Sequence, residues 1–388
     1  MTSSITLKGV YVGNKPVIVK RYLYRQYKQI TDGSQCWRDN YILERWADSE
    51  QPVVYYGQHV NGYRLLKRLG DWCWLARNTN NNELLTVKFM GQSESRQVKR
   101  ELAINQFLRS RCPQSPHLSI IKDNFVIKHH LAKLHPSYRD VSFDVIAYPP
   151  TGTDLQRIHT SSVRSTSPLP LSVERRVQCI KDIVRGVAEL HSLGIVHADI
   201  HPGNVALPPP PVADIEALLE EPHVEHWLER EDGAPTPGCL PKSVIKPVDL
   251  GFGDGTCRVL DFGYSFRHRE GAVYKADSFS YGAEKAIEFE TSETTDQPFK
   301  VDSWYMGQLI YYILTNGCDF LDRRPSNLMS HWVDRMAVLE NGVDEIFNEE
   351  LPSRRHQRHF QPIIQQLMHG DPDRRLSVQD AVARIESF

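Results

Sequence analysis

From Tyr63 to Met90 the chain runs through three short apolar-rich segments, YRLLKRLG, CWLARNT and ELLTVKFM, with a polar turn at Asn80–Asn82. β-Branched and aromatic residues flank the turn, so the pattern predicts strands. In the next stretch, SESRQVKRELAINQFLRSR, the apolar positions Val98, Leu102, Ile104, Phe107 and Leu108 recur at helical spacing. Two further apolar runs follow, NFVIKHH and SFDVIAYPP, the second halted by Pro149 and Pro150. Beyond them the period is helical. In LSVERRVQCIKDIVRGVAELHSLG the residues Val173, Val177, Ile180, Ile183, Val184, Val187 and Leu190 line one face, with Ser172 as cap and Gly194 as stop. VDSWYMGQLIYYILTNG is apolar almost all round, which predicts a deeply buried helix.

A small strand-rich half therefore precedes a larger helical half, and 388 residues are enough for two lobes. The expected division is an extension over 1–58, a first lobe over 59–148 and a second over 149–388, interrupted by an insertion at about 208–256. The insertion opens with PPPP, ends Gly-rich, and carries eight acids against Arg230 in its middle. It reads as a solvated helical insert, with a docking surface for basic substrates as the alternative.

Composition narrows the class. Hydrophobic residues at 40% and charged residues at 24% match globular proteins and disfavour wholesale disorder. A net charge of −2 gives no bulk attraction to nucleic acid, so no such partner is expected. Seven cysteines, none in a CxxC pair, suit reduced thiols and a cytoplasmic or nuclear setting. The start MTSSITLKGVYVG lacks a leader pattern, and no apolar run reaches the roughly 18 residues of a span, so no membrane association is expected.

Candidate chemistry concentrates in two segments. In GIVHADIHPGNVAL, Asp199 and Asn204 stand five residues apart between short apolar runs. A carboxylate there can orient a hydroxyl and accept its proton, and an amide oxygen can ligate magnesium. In CRVLDFGYSF a strand ends at Asp261, whose carboxylate can hold a metal bridging phosphates, and Gly263 permits a sharp turn.

These segments resemble the protein kinase superfamily, whose catalytic loop reads H-R-D-x-x-x-x-N and whose metal loop reads D-F-G. His197, Asp199 and Asn204 match the first motif; Asp261, Phe262 and Gly263 match the second. The resemblance covers about residues 59 to 388 and implies an α+β, two-lobed kinase-like fold: a small antiparallel sheet with one helix, then a mainly helical lobe. It implies that Lys88 pairs with the α- and β-phosphates and that Glu101, thirteen residues on, positions it. Lys20 with Glu44 is a rival pair, disfavoured because the chain from Lys20 to Asp199 would need an extra set of strands and a helix. Asp302 resembles the aspartate that braces the catalytic loop, and Arg375 in DPDRRLSV the late structural arginine. Within the superfamily the chain is most similar to SR-protein kinases and their fungal relatives, through YGQHVNGYRLLKRLG, the small residue in HAD and the long insertion.

Several positions depart from the pattern. The phosphate loop, LGDWCWLAR, is shortened and has Gly70 as its only glycine. In VIAYPPTGTDL, if Ala147, Tyr148 and Pro149 meet adenine, the donor falls on Pro149, which has no N–H; a shift of one residue restores it. His201 replaces a lysine and, as an imidazole, is only partly charged near neutral pH. HxDxHPGN is also the pattern of small-molecule phosphotransferases such as aminoglycoside and choline kinases. Ala198 replaces the arginine that pairs with a phosphorylated activation loop, so Ser278, Ser280 and Tyr281 are not expected to act through that pair. YGAEKAIE resembles the A-P-E boundary with Glu284 and Lys285 in the proline and glutamate positions, so Arg375 is expected to meet a repulsion.

The resemblance thus implies a serine/threonine protein kinase using ATP and Mg2+. Asp199 orients the substrate, Asn204 and Asp261 hold metal, Lys88 and Glu101 serve the phosphates, and His201 sits beside the transferring group. Gly70, Ala147 and Pro149 border the nucleotide, and the protein substrate is basic or Arg/Ser-rich. The alternatives are a nucleotide-poor pseudokinase scaffold and a small-molecule phosphotransferase. The oligomeric state is open.

Overall fold

The computed structural model describes residues 11–12, 15–16, 52, 54–70, 72–92, 96–129, 141–158, 171–223, 225–227, 243–280, 285–318 and 351–388. Lys20, Glu44, Tyr281 and Glu284 lie outside the described residues, as do 228–242 of the insertion. The chain divides into two compact units. The first comprises Met1–Lys99, Ile121–Pro150 and Pro210–Leu250; the second comprises Arg100–Ile120, Thr151–Pro209 and Gly251–Phe388.

The first unit is built on a six-stranded antiparallel sheet. Its strands are β1 (His59–Val60), β2 (Tyr63–Arg68), β3 (Cys73–Asn78), β4 (Leu84–Gln92), β5 (Asp123–His129) and β6 (Val141–Tyr148), in the order β1-β2-β3-β4-β6-β5. Strand alternation explains the packing. Leu85, Val87 and Phe89 point to one face, where they join Tyr63, Leu65, Trp74, Ala76 and Val145 in a buried cluster, while Thr86 and Lys88 face the other way. Each such apolar side chain contributes roughly 1.5–3 kcal/mol by leaving water.

A bulge between Leu65 and Lys67 breaks that alternation. Beyond it Arg68 pairs with Trp74, on the buried-cluster face, and Lys67 with Leu75 on the opposite one. Strand β1 covers only the start of β2, so the edge near Lys67 and Arg68 needs other partners. The insertion supplies them through α3 (Val212–Glu220) and a hairpin of β9 (Glu225–Trp227) with β10 (Ser243–Ile245). A helix does form there, but it is not merely solvated: Ile215 is buried and Arg77 makes a two-pronged bond to Glu216 at 2.9 and 2.7 Å.

In the second unit, the part of α1 (Arg96–Arg111) from Arg100 onward places Ile104 and Leu108 in a large apolar core with α2 (Val173–Ser192) and α4 (Pro298–Leu314). The Ser172 hydroxyl accepts the Arg175 N–H at 3.2 Å to start α2, and Gly194 ends it at φ +71°, where a Cβ would be strained. Of the expected apolar face, Val177 through Leu190 are buried and Val173 is half-exposed. Helix α4 is buried nearly all round, as its sequence requires. The C-terminal helices α5 (Arg354–Leu367) and α6 (Val378–Glu386) complete the core through Phe360, Ile364, Leu367 and Ala381. Among the described residues no helix is long and apolar enough to cross a membrane.

Candidate active site

Two tiny ladders frame the central loops of the second unit. Strand β7 (Ile195–Val196) pairs with β12 (Phe266–Arg267), and β8 (Val205–Ala206) pairs with β11 (Arg258–Val259), all antiparallel. The segment holding Asp199 and Asn204 is thereby zipped on both sides to the segment holding Asp261. Further bonds close the gap: Leu260 N–H donates to Asn204 O at 2.9 Å, Ser265 Oγ to His197 O at 3.0 Å, and His197 Nε2 meets Leu260 O at 3.0 Å. Because His197 Nδ1 accepts the Asp199 N–H at 3.2 Å, its Nε2 carries the proton.

Asp302, fully buried on α4, anchors this loop from below. It accepts His197 N–H at 2.7 Å, Ala198 N–H at 2.8 Å and His191 Nε2 at 2.9 Å. Its role as brace matches the expectation from sequence. The Ala198 carbonyl in turn accepts the Ser280 N–H at 2.9 Å. Held at both ends, Ala198 sits at φ +65°, a left-handed conformation costing about 1–2 kcal/mol for a residue with a Cβ. Asp261, at φ +58°, is a second such residue, with its Oδ1 accepting the Gly263 N–H at 3.1 Å.

Asn204 donates both N–H groups of its amide to Asp199, one to the backbone carbonyl and one to Oδ2, each at 2.9 Å. With both N–H groups engaged, its amide oxygen is the acceptor it has to offer. Asp199 Oδ1 is buried and makes no hydrogen bond at normal length, and His201 Nε2 stands 3.6 Å away. His201 Nδ1 accepts the Gly203 N–H at 3.1 Å, so in the neutral ring the proton is on Nε2, toward Asp199. A Cβ on Gly203 would meet Gln156 Oε1 at 2.6 Å, a side-chain tip that can turn away, and the His201 ring at 2.9 Å, so glycine gives the closest fit there. Burial pushes the Asp199 carboxyl up, but the His201, Ser280 and His197 side chains outweigh it, and the group titrates below the ordinary aspartate value.

Ser280 therefore belongs beside Asp199, a placement the sequence reading missed. The expected repulsion at Arg375 is also corrected. Arg375 binds Glu288 through both terminal nitrogens at 3.0 and 2.9 Å, and the pair is buried. The boundary motif is Ala286-Ile287-Glu288, three residues later than the alignment on Glu284 and Lys285, with isoleucine standing where a proline would have marked the register.

In the first unit Lys88 lies mid-strand on β4, paired with Cys73 on one side and Ile146 on the other, and is half-buried. Glu101 is buried on α1. The turn after β2 is closed by Leu69 and Gly70 N–H groups both donating to Cys73 O, at 2.8 and 3.3 Å. The Gly70 amide is thus committed within its own turn. Ala147 is buried between β4 and β5, with its carbonyl accepting the Lys122 N–H at 2.8 Å, and Tyr148 ends the strand opposite Thr86 of β4. Pro149 follows the strand and has no N–H to offer.

The donor set suits a hard cation. An amide oxygen at Asn204 and a carboxylate at Asp261 are oxygen ligands of the kind magnesium takes when phosphates complete its shell. Among the described residues no group of three or more His, Cys, Asp or Glu side chains forms a closed metal cage.

No protein-family model matches the chain. The rice protein "Serine/threonine-protein kinase/endoribonuclease IRE1" is 21% identical over 330 residues, which is 80% of this chain and 30% of that protein. The Saccharomyces cerevisiae "Serine/threonine-protein kinase RCK2" is 25% identical over 190 residues, 46% of this chain and 28% of that one. The chain thus spans about 30% of the length of these curated relatives. A chain of the yeast RNA Pol II CTD kinase CTDK-1 complex superposes with a TM-score of 0.53 at 16% identity, covering 85% of this chain and 94% of that one. The chain has the α+β protein-kinase fold, and its sequence is weakly similar to serine/threonine protein kinases.

Proposed function

We propose that this protein is an ATP-dependent kinase that transfers the γ-phosphate to serine or threonine hydroxyls of a protein substrate. One observation carries the reading: the buried Asp199 carboxylate is oriented by Asn204 through Oδ2, while Oδ1 makes no hydrogen bond at normal length and has His201 Nε2 3.6 Å away. A buried acceptor short of a hydrogen bond is costly on its own and is satisfied by an incoming hydroxyl. Asp199 stays ionised at neutral pH, so it can align that hydroxyl and take its proton as the oxygen attacks. His201, its Nε2–H turned to the same carboxylate, adds a donor where a lysine would stand.

Asn204 and Asp261 are the residues that would hold Mg2+, which supplies charge neutralisation between phosphate groups when bound. Lys88 takes the α- and β-phosphates in this reading, with Glu101 as its positioning partner. The phosphate turn contributes shape, because its Gly70 amide is already bonded. That closed turn is also the observation that favours the second reading, a scaffold binding nucleotide weakly.

A substrate of the SR-protein-kinase type, basic and Arg/Ser-rich, is the finer part of the proposal and rests on sequence resemblance. Labelled ATP offered with a mixed Ser/Thr peptide library, and separately with amino sugars and amino alcohols, tests it. Label in basic peptides supports the reading; label only in the small molecules moves the protein to another class of phosphotransferase. A melting midpoint raised by ATP only with magnesium would support the cofactor assignment.

A further inference from the structure

Two basic residues at the end of β2 are buried, which is unusual for lysine and arginine. Lys67 is 1% exposed and its Nζ donates to Glu221 O at 2.6 Å. Arg68 is 3% exposed; its Nε donates to Gly70 O at 3.1 Å and its Nη1 to Ile245 O at 2.9 Å. The Arg68 carbonyl accepts the Val248 N–H at 2.8 Å, which supplies the edge bond that β1 is too short to give. Glu221, Ile245 and Val248 all belong to the insertion. One guanidinium therefore joins the insertion directly to the lone glycine of the phosphate turn.

We propose that the insertion, through Glu221, Ile245 and Val248, braces the turn that follows β2, and that Arg68 is the positioning residue through which it acts. Two glycines usual in a phosphate loop are missing, and Trp72 and Trp74 stand in the turn and the strand after it. Such a turn cannot mould itself to phosphates by backbone freedom, so it must be held in a fitting shape beforehand. The fork of Arg68 does this by gripping Gly70 O and Ile245 O together, a geometry lysine cannot reproduce. The nucleotide part of this proposal rests on the kinase reading above; the mechanical part does not.

The experiment compares the wild-type chain with Arg68→Lys and with Val248→Pro, which deletes the N–H that meets Arg68 O. Amide hydrogen exchange at Leu69 and Gly70, the KM for ATP and kcat on a fixed peptide are read, with the melting midpoint as a folding control. The expected result is faster exchange at both amides in both variants, with the KM for ATP raised roughly tenfold and kcat held within about twofold. A merely structural role would lower the melting midpoint and leave the KM and kcat pattern unchanged, and that outcome overturns the proposal. Unchanged exchange at Leu69 and Gly70 in folded variants also overturns it. If the wild type binds no ATP, the kinase reading fails, and the exchange arm still decides whether the insertion braces the turn.

Discussion

Arg375 and Glu288 form a two-pronged ion pair in the interior of the second unit, with the guanidinium also donating to Lys300 O and His369 O and lying 5.3 Å from the Trp304 ring. Eighty-seven residues separate the partners, so the pair ties the end of the segment carrying Ser280 to the C-terminal helices. Removing Glu288 would leave a buried guanidinium short of its counter-charge. Glu288→Ala should lower the unfolding free energy by about 3–5 kcal/mol, measured by urea denaturation.

The loop that carries Asp199 depends on Asp302 and on a strained alanine. Ala198→Gly relieves the left-handed backbone but forfeits a buried methyl, so stability should stay within about 1 kcal/mol of wild type. Ala198→Val adds a branched Cβ at φ +65° in a fully buried position and should cost more than about 2 kcal/mol. Paired urea titrations distinguish the two; equal costs would mean that the backbone conformation carries no constraint.

Two glycines make a contrasting pair. A Cβ on Gly152 would meet Pro208 O at 2.5 Å and Gly251 O at 2.8 Å, both backbone atoms with no freedom to yield. A Cβ on Gly307 would instead meet side chains, Cγ of Met368, which can change rotamer, and Leu367 Cβ at 3.2 Å. Gly152→Ala should therefore destabilise by about 2 kcal/mol or more, and Gly307→Ala by distinctly less, in melting midpoints read side by side.

The Asp199 carboxyl is depressed in the folded protein, so its ionisation contributes stability that is present above the ordinary aspartate value of about 3.9 and lost as pH falls through the lower folded value. The stability advantage of wild type over Asp199→Asn should be constant from about pH 5 to 8 and shrink below about pH 4. An advantage that fades between pH 5 and 7 would show that the carboxyl is not held low.

Much of this architecture was legible in the sequence because each feature had a local signature. Ser172 and Gly194 bound α2 through cap and left-handed stop, and the all-apolar run around Trp304 could only be interior. Asp199, Asn204, Asp261 and Asp302 kept motif spacing. What escaped notice depends on tertiary partners. Without a proline to fix the register, Glu288 looked like one more acid near Lys285, and only Arg375 across the fold identifies it. Ser280 reads as an ordinary hydroxyl until its backbone is seen bonded to Ala198. Lys67 and Arg68 look like solvent-facing charges, because a one-residue bulge that reverses the facing of a strand has no composition of its own.

The most direct test of the whole reading is phosphate transfer from ATP to a Ser/Thr peptide library by wild type and by Asp199→Asn, at matched folded concentration and with magnesium present. The account predicts a loss of at least about a hundredfold in the variant, the scale of a missing general base. Equal transfer by the two proteins would contradict it.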